Sequence, residues 1–167
     1  MFTVKNHDFR SAEAYAKVTG QYWIEALRDG RHVLIRQLTD KDREREYAFI
    51  KRLSPESRHM RFLSQISEPG TEMLDQLMDT DNKQRTAYVA LVHENGQLIE
   101  IGVARYAATS EHECECAVTV ADEWTHLGLG TLLMEHLIKT ARKNDFHQMY
   151  SVDASSNAPM RDLAKSL

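Results

Sequence analysis

The run ECAVTVADEWTHLGLGTLLMEHLIKTARK, residues 115–143, constrains the fold more than any other stretch. An alternating, branched segment passes through THLGLGT (125–131) straight into an apolar pattern with helical spacing: Leu132, Leu133, Leu137, Ile138 and Ala141. Strand, glycine turn and helix follow one another without a spacer. Gly128 and Gly130 allow a tight turn and a close approach of a ligand to the main chain. The first amides of the helix have no partner within it, and its dipole is positive there. That geometry suits a phosphate or pyrophosphate. A tight strand-to-helix turn with no ligand fits the same spacing. The turn is not a P-loop, because no Gly-Lys-Ser/Thr follows, and it lacks the third glycine of a dinucleotide fingerprint.

The elements around this unit define a mixed α/β chain. HQMYSVDA (147–154) reads as a short strand after the helix, and the crossover makes it parallel to strand 113–121. RTAYVALVHENGQLIEIGVARYAAT (85–109) reads as a hairpin around Asn95-Gly96, and HVLIRQL (32–38) as a strand. SAEAYAKVTGQYWIEALRDG (11–30) is expected to be helical, with a broad apolar face. Thr39 is expected to cap a helix over 40–53 carrying Tyr47, Ile50 and Leu53 on one face. Ser54-Pro55 restarts a helix to about residue 63, a short helix follows EPG, and SNAPMRDLAKSL begins a last one.

A length of 167 residues with 42% hydrophobic content fits one domain with a substantial core. A net charge of −4 with interspersed signs gives no reason to bind nucleic acid. No apolar run approaches the roughly 20 residues of a membrane span, and MFTVKNHDFRS lacks the apolar core of a secretory signal. Two cysteines one residue apart do not staple a secreted fold, so a cytoplasmic protein with reduced thiols is expected.

Both cysteines lie in HECEC, 112–116. On a strand, His112, Cys114 and Cys116 share one face, with neighbouring Cβ atoms about 6–7 Å apart. Zinc wants four ligands, usually with paired cysteines two to four residues apart, and there is no second pair. That spacing also opposes a disulfide. No metal is expected from this motif. Cys116 reads as a small core residue and Cys114 as partly exposed.

Residues 32–167 resemble the GNAT family of acyl-CoA-dependent N-acyltransferases. The resemblance rests on VTVADEWTHLGLGTLLMEHLIKTARKNDFHQMYSVDASSNAPMRDLAKSL and on the order strand, two helices, hairpin, strand, glycine turn, helix, strand, helix. Gly128 and Gly130 match the small positions of the signature Gln/Arg-x-x-Gly-x-Gly/Ala. Thr125 stands where Gln or Arg is usual, and Leu127 where Arg often sits. LRDGRHVLIRQLTDKD, LSPESRHMRF and ECAVTVADEW look most like bacterial protein-lysine acetyltransferases.

The resemblance implies a mostly antiparallel mixed sheet with a splayed parallel pair and flanking helices. Residues 1–30 would be an N-terminal helical extension and 31–167 the acyl-CoA-binding domain. The chain stops at Leu167, where the family usually adds Gly-Phe and two strands; an open edge there would favour a homodimer. Acetyl-CoA is the implied cosubstrate. Its pantetheine arm would pair with the main chain of Val118, Thr119 and Val120. Its pyrophosphate would meet the turn Thr125, His126, Leu127, Gly128, Leu129, Gly130 and Thr131, although His126 also reads as an exposed loop residue. Asn157 matches an Asn that commonly contacts the coenzyme.

Transfer to an amine needs a base, since an alkyl amine is mostly protonated at neutral pH. In similar protein acetyltransferases a Glu opens the pantetheine strand about thirteen residues before the first glycine. Glu115 stands there, sharing a strand face with Ala117 and Thr119. Glu113 is the runner-up, and an exposed strand carboxylate is the bland alternative. The Tyr that often protonates the leaving thiolate is matched by Ala164, which leaves Tyr150 and Tyr106 as candidates by proximity. Arg58, His59 and Arg61 would line the acceptor side or a solvated helix face. The implied activity is acetyl transfer to a primary amine, with a protein lysine as acceptor. The alternatives are a small amine or polyamine as acceptor, or a non-catalytic acyl-CoA-binding module.

Overall fold

The computed structural model describes residues 20–53 and 71–151. One sheet of six strands runs in chain order: β1 (Tyr22–Ala26), β2 (His32–Gln37), β3 (Arg85–Glu94), β4 (Gln97–Ala108), β5 (Glu113–Val120) and β6 (Gln148–Tyr150). Every pairing is antiparallel except β5 with β6. Among the described residues three helices flank it: α1 (Arg43–Arg52), α2 (Thr71–Met78) and α3 (Leu129–Lys143). No helix among the described residues is long and apolar enough to cross a membrane.

The expected hairpin closes at Asn95 and Gly96, both at positive φ (52° and 79°), which matches the twist of the flanking strands. A bulge at Ile101 lets Ala90 face Gly102 and Leu91 face Glu100. Gly102 has a packing role. A Cβ there would meet Leu133 Cδ1 at 3.1 Å and Leu129 Cδ2 at 3.2 Å, so the missing side chain lets α3 lie close on β4.

The sheet buries both faces. Leu129, Leu133, Met134 and Leu137 of α3 pack on Ile35, Ala90, Ala104, Cys114 and Cys116. On the opposite face, Phe49 and Leu53 cover Leu34, Val89 and Val103. Ile50 and the α2 residues Met73, Leu74 and Leu77 cover Ala107 and Ala117.

Two expectations upstream are corrected. Tyr22–Ala26 is a strand rather than part of a helix. Its aromatic and branched residues suit a pleated, half-buried surface, and β2 supplies five paired positions that override the helical pattern. This part of the expected N-terminal extension therefore belongs to the sheet; residues 1–19 lie outside the described residues. On α1 the buried face holds Glu46, Phe49 and Ile50, while Tyr47 is exposed. Glu46 is inside because Arg105 of β4 is its ion-pair partner, and Arg105 also donates to the Leu77 carbonyl at 3.0 Å. Thr39 precedes a short 3-10 turn, Asp40–Asp42, that leads into α1. Its amide donates to Asp42, whose carboxylate takes both Arg36 nitrogens at 2.6 and 2.7 Å.

Candidate active site

The site is built on β5. One edge of this strand pairs with β4 from Ala108↔Cys114 to Gly102↔Val120. On the other edge β6 pairs with Glu113, Cys114 and Glu115 alone. From Cys116 to Val120 that edge has no strand partner among the described residues, and Val118, Thr119 and Val120 lie on this stretch. Main-chain groups there are placed to accept an added extended chain.

Glu115 occupies the last described rung, opposite Tyr150. Period-two alternation puts it on the face of α1 and α2, where Ala107 and Ala117 pack beside it. It is 3% exposed, which removes the reading of an exposed strand carboxylate; Glu113, two rungs earlier, is exposed. Tyr150 is 42% exposed at this rung. Tyr106 is different: it is buried on the α3 face, donates to the Lys83 carbonyl at 2.7 Å and accepts from Asn144 at 3.0 Å. Burial holds its phenol above the ordinary range, so it is a core group.

Beyond β5 the chain makes a 3-10 turn, Asp122–Trp124, and then the glycine turn. The Thr125 hydroxyl donates to the Asp122 carbonyl at 2.8 Å and so serves the turn. His126 is exposed at φ 64°, and Leu127 packs against the α3 core. Gly128 caps α3 at φ 89°, a left-handed conformation that costs a residue with a Cβ about 1–2 kcal/mol. The first bond of the helix runs from Leu132 N–H to the Gly128 carbonyl, 3.1 Å. The amides of Leu129, Gly130 and Thr131 precede it and have no carbonyl one turn earlier inside the helix. They form a positive cradle at the end of the open edge of β5.

Sequence reasoning missed Arg28. It lies in the β1–β2 connection, which was expected to be the end of a helix. Its amide donates to the Leu127 carbonyl at 3.0 Å, and a Cβ on Gly128 would sit 3.5 Å from its Nε. A guanidinium thus stands beside the turn that lacks one at Thr125 and Leu127. Asp29-Gly30 was the available signal, since it marks a hairpin turn as readily as a helix end.

Cys114 and Cys116 are both buried and free, which corrects the expected exposure of Cys114. Cys114 lies under the α3 core because the strand extends inward from His112. Desolvation pushes its thiol up to about 11, and burial, aided by the Cys114 and Glu115 charges, pushes Cys116 to about 12. Neither is a ready nucleophile or zinc thiolate. Asn157, Ala164, Arg58, His59 and Arg61 lie outside the described residues.

The sequence matches the acetyltransferase (GNAT) family model over residues 47–167. Acetyltransferase PA5475 of Pseudomonas aeruginosa is 57% identical over 157 residues, covering 93% of this chain and 84% of that protein. Among solved structures, the GNAT domain of S. lividans PAT superposes with a TM-score of 0.73 at 23% identity, covering 87% of this chain and 85% of that one. AAC(6')-Iy, in complex with the bisubstrate analog CoA-S-monomethyl-acetylneamine, gives 0.59 at 15% identity, with 81% and 89% covered. At these identities the structural likenesses concern the fold.

Proposed function

This chain belongs to the acetyltransferase (GNAT) family and is an acyl-CoA-dependent N-acyltransferase; on that premise we propose that it moves an acetyl group from acetyl-CoA to a lysine side chain of a protein, with Glu115 as the general base. The observation that carries the reading is the position of Glu115: a buried carboxylate on the last rung before the open edge of β5. A thioester whose pantetheine arm lies along Val118, Thr119 and Val120 reaches Glu115 from the glycine-turn end.

The chemistry follows in order. Glu115 takes a proton from the acceptor ammonium, directly or through one water. The freed nitrogen attacks the thioester carbonyl, and main-chain amides of Val118 and Val120 orient that carbonyl. The tetrahedral intermediate collapses as its nitrogen gives its second proton to solvent water; the C–S bond breaks, and the thiolate leaves, with the neutral amide as product. Tyr150, opposite Glu115 in the strand pair, is the candidate hydroxyl to return a proton to the thiolate. The pyrophosphate sits on the amides of Leu129, Gly130 and Thr131, with the Arg28 guanidinium beside Gly128 replacing the missing basic side chain of the turn.

The lysine acceptor rests on LRDGRHVLIRQLTDKD, LSPESRHMRF and ECAVTVADEW. It is tested by incubating the protein with acetyl-CoA and separate panels of folded proteins and small polyamines while following thiol release. Acetylated lysine on a protein, with no turnover of polyamines, supports the proposal; turnover of polyamines alone contradicts it.

A further inference from the structure

His112 is not part of the chemistry above, and it does not join the cysteines beside it in sequence. Its ring lies parallel to that of His147, at 5° between planes and 4.7 Å between centroids. Asp145 stands between the two. Its carboxylate oxygens lie 3.5 Å from His112 Nδ1 and 3.1 Å from His147 Nε2. One donor atom from each residue falls within 4.8 Å of the other two.

We propose that His112, Asp145 and His147 form a surface site for a divalent transition-metal ion of the zinc, cobalt or nickel type. Two imidazoles and one carboxylate are a ligand set suited to these ions, with the remaining positions left to water. Tetrahedral bonds of 2.0–2.1 Å need donor atoms about 3.4 Å apart. To close the remaining difference the two imidazoles turn out of their parallel stack so that their nitrogens converge, which their partial or full exposure allows.

The backbone beneath these side chains is already held. The amides of His147 and Gln148 both donate to the His112 carbonyl, at 2.8 and 3.2 Å, tying the two histidines together across the start of the parallel pair. Asp145 is at φ 70° in a turn closed by its own amide on the Arg142 carbonyl, 3.1 Å. Phe146 is buried edge-on against Tyr106 at 5.2 Å and anchors the segment between the ligands. The ligands therefore do not need a chain rearrangement to meet. Two local exchanges are required: His112 Nδ1 gives up its 3.0 Å contact with the Asp145 main-chain carbonyl, and His147 Nε2 its 3.1 Å contact with Asp145 Oδ1, so that each faces the ion.

An ion here clips the first residue before β5 to the turn between α3 and β6. The clip sits three residues from Glu115, roughly 10 Å along the strand, and holds the closed end of the strand pair opposite its open end. Its existence does not depend on the acceptor or on the role of Glu115.

The test uses the untagged, full-length protein after chelator treatment, titrated with cobalt chloride and followed by calorimetry and visible absorption. The expected result is one saturable equivalent without a thiolate-to-cobalt charge-transfer band. His112→Ala and His147→Ala should each weaken binding by about tenfold or more, while His93→Ala, on the distant β3 end, leaves it unchanged. Absence of saturable binding, a thiolate band, or parent-like affinity in either histidine variant overturns the proposal. Far-ultraviolet circular dichroism of each variant confirms that lost binding is not lost folding.

Discussion

The main-chain amide of Arg28 donates to the carbonyl of Leu127 at 3.0 Å, which pins the β1–β2 connection onto the turn that opens α3. The contact places a guanidinium at Gly128, on the side chain of a residue about a hundred positions away in sequence. Arg28→Ala is expected to weaken coenzyme binding by about tenfold, the range of one charge-assisted hydrogen bond. The maximum rate with saturating acetyl-CoA should change little. Calorimetry with CoA and the split between KM and kcat check this; an unchanged KM removes Arg28 from the site.

Gly128 is demanded by its φ of 89°, while a Cβ there would meet Arg28 Nε at 3.5 Å, an ordinary contact. Gly128→Ala is expected to lower stability by about 1–2 kcal/mol through backbone strain. It should also raise the acetyl-CoA KM by more than that loss of folded protein explains. Denaturant titration and steady-state kinetics on the same sample separate the two effects.

Asp42 and Arg36 form a buried bidentate pair. Burial alone would raise the Asp42 pKa, but the Arg36 hydrogen bonds and charge and the Thr39 amide outweigh it, so the group is held below the ordinary range. A depressed carboxylate stabilises the fold above its unfolded pKa, and that contribution fades as pH falls through the folded pKa. Thermal stability should therefore hold at neutral pH and fall below about pH 4. Asp42→Asn should cost about 3–5 kcal/mol at neutral pH, because it leaves Arg36 buried without its counter-charge. Melting curves across pH for both proteins test the sign and the size.

With thiols at about 11 and about 12, Cys114 and Cys116 are almost wholly protonated at neutral pH, and both are buried. Iodoacetamide should leave both unlabelled in the native protein and label both in denaturant. Labelling of the native chain at the rate of a free exposed cysteine contradicts the packing described.

Much of this architecture was legible in the sequence because local signals and tertiary packing agree. The unit from β5 through the glycine turn to α3, the Asn95-Gly96 hairpin and the parallel β5–β6 pair all carry such signals. Counting back from Gly128 singles out Glu115, a carboxylate that the structure buries. The misses share one physical origin, a partner distant in sequence. Tyr22–Ala26 is a strand because β2 pairs with it. Glu46 is buried because Arg105 meets it, and Tyr47 is left outside. His112 meets Asp145 and His147, not the cysteines that follow it. Periodicity within one segment holds no record of these pairings.

The central claim is that Glu115 takes the acceptor proton. Replacing it by glutamine keeps the shape of the side chain, turns one accepting oxygen into a donating NH2 group and removes the base. Glu115→Gln should bind CoA as the parent protein does and lose transfer at neutral pH by about 100- to 10,000-fold. Part of that loss should be recovered at high pH, where the acceptor amine is already deprotonated. Initial rates of acetyl transfer from neutral to alkaline pH, measured beside CoA calorimetry on the same preparation, test this most directly. Intact binding with a large neutral-pH loss supports the account; intact binding with unchanged turnover at neutral pH contradicts it.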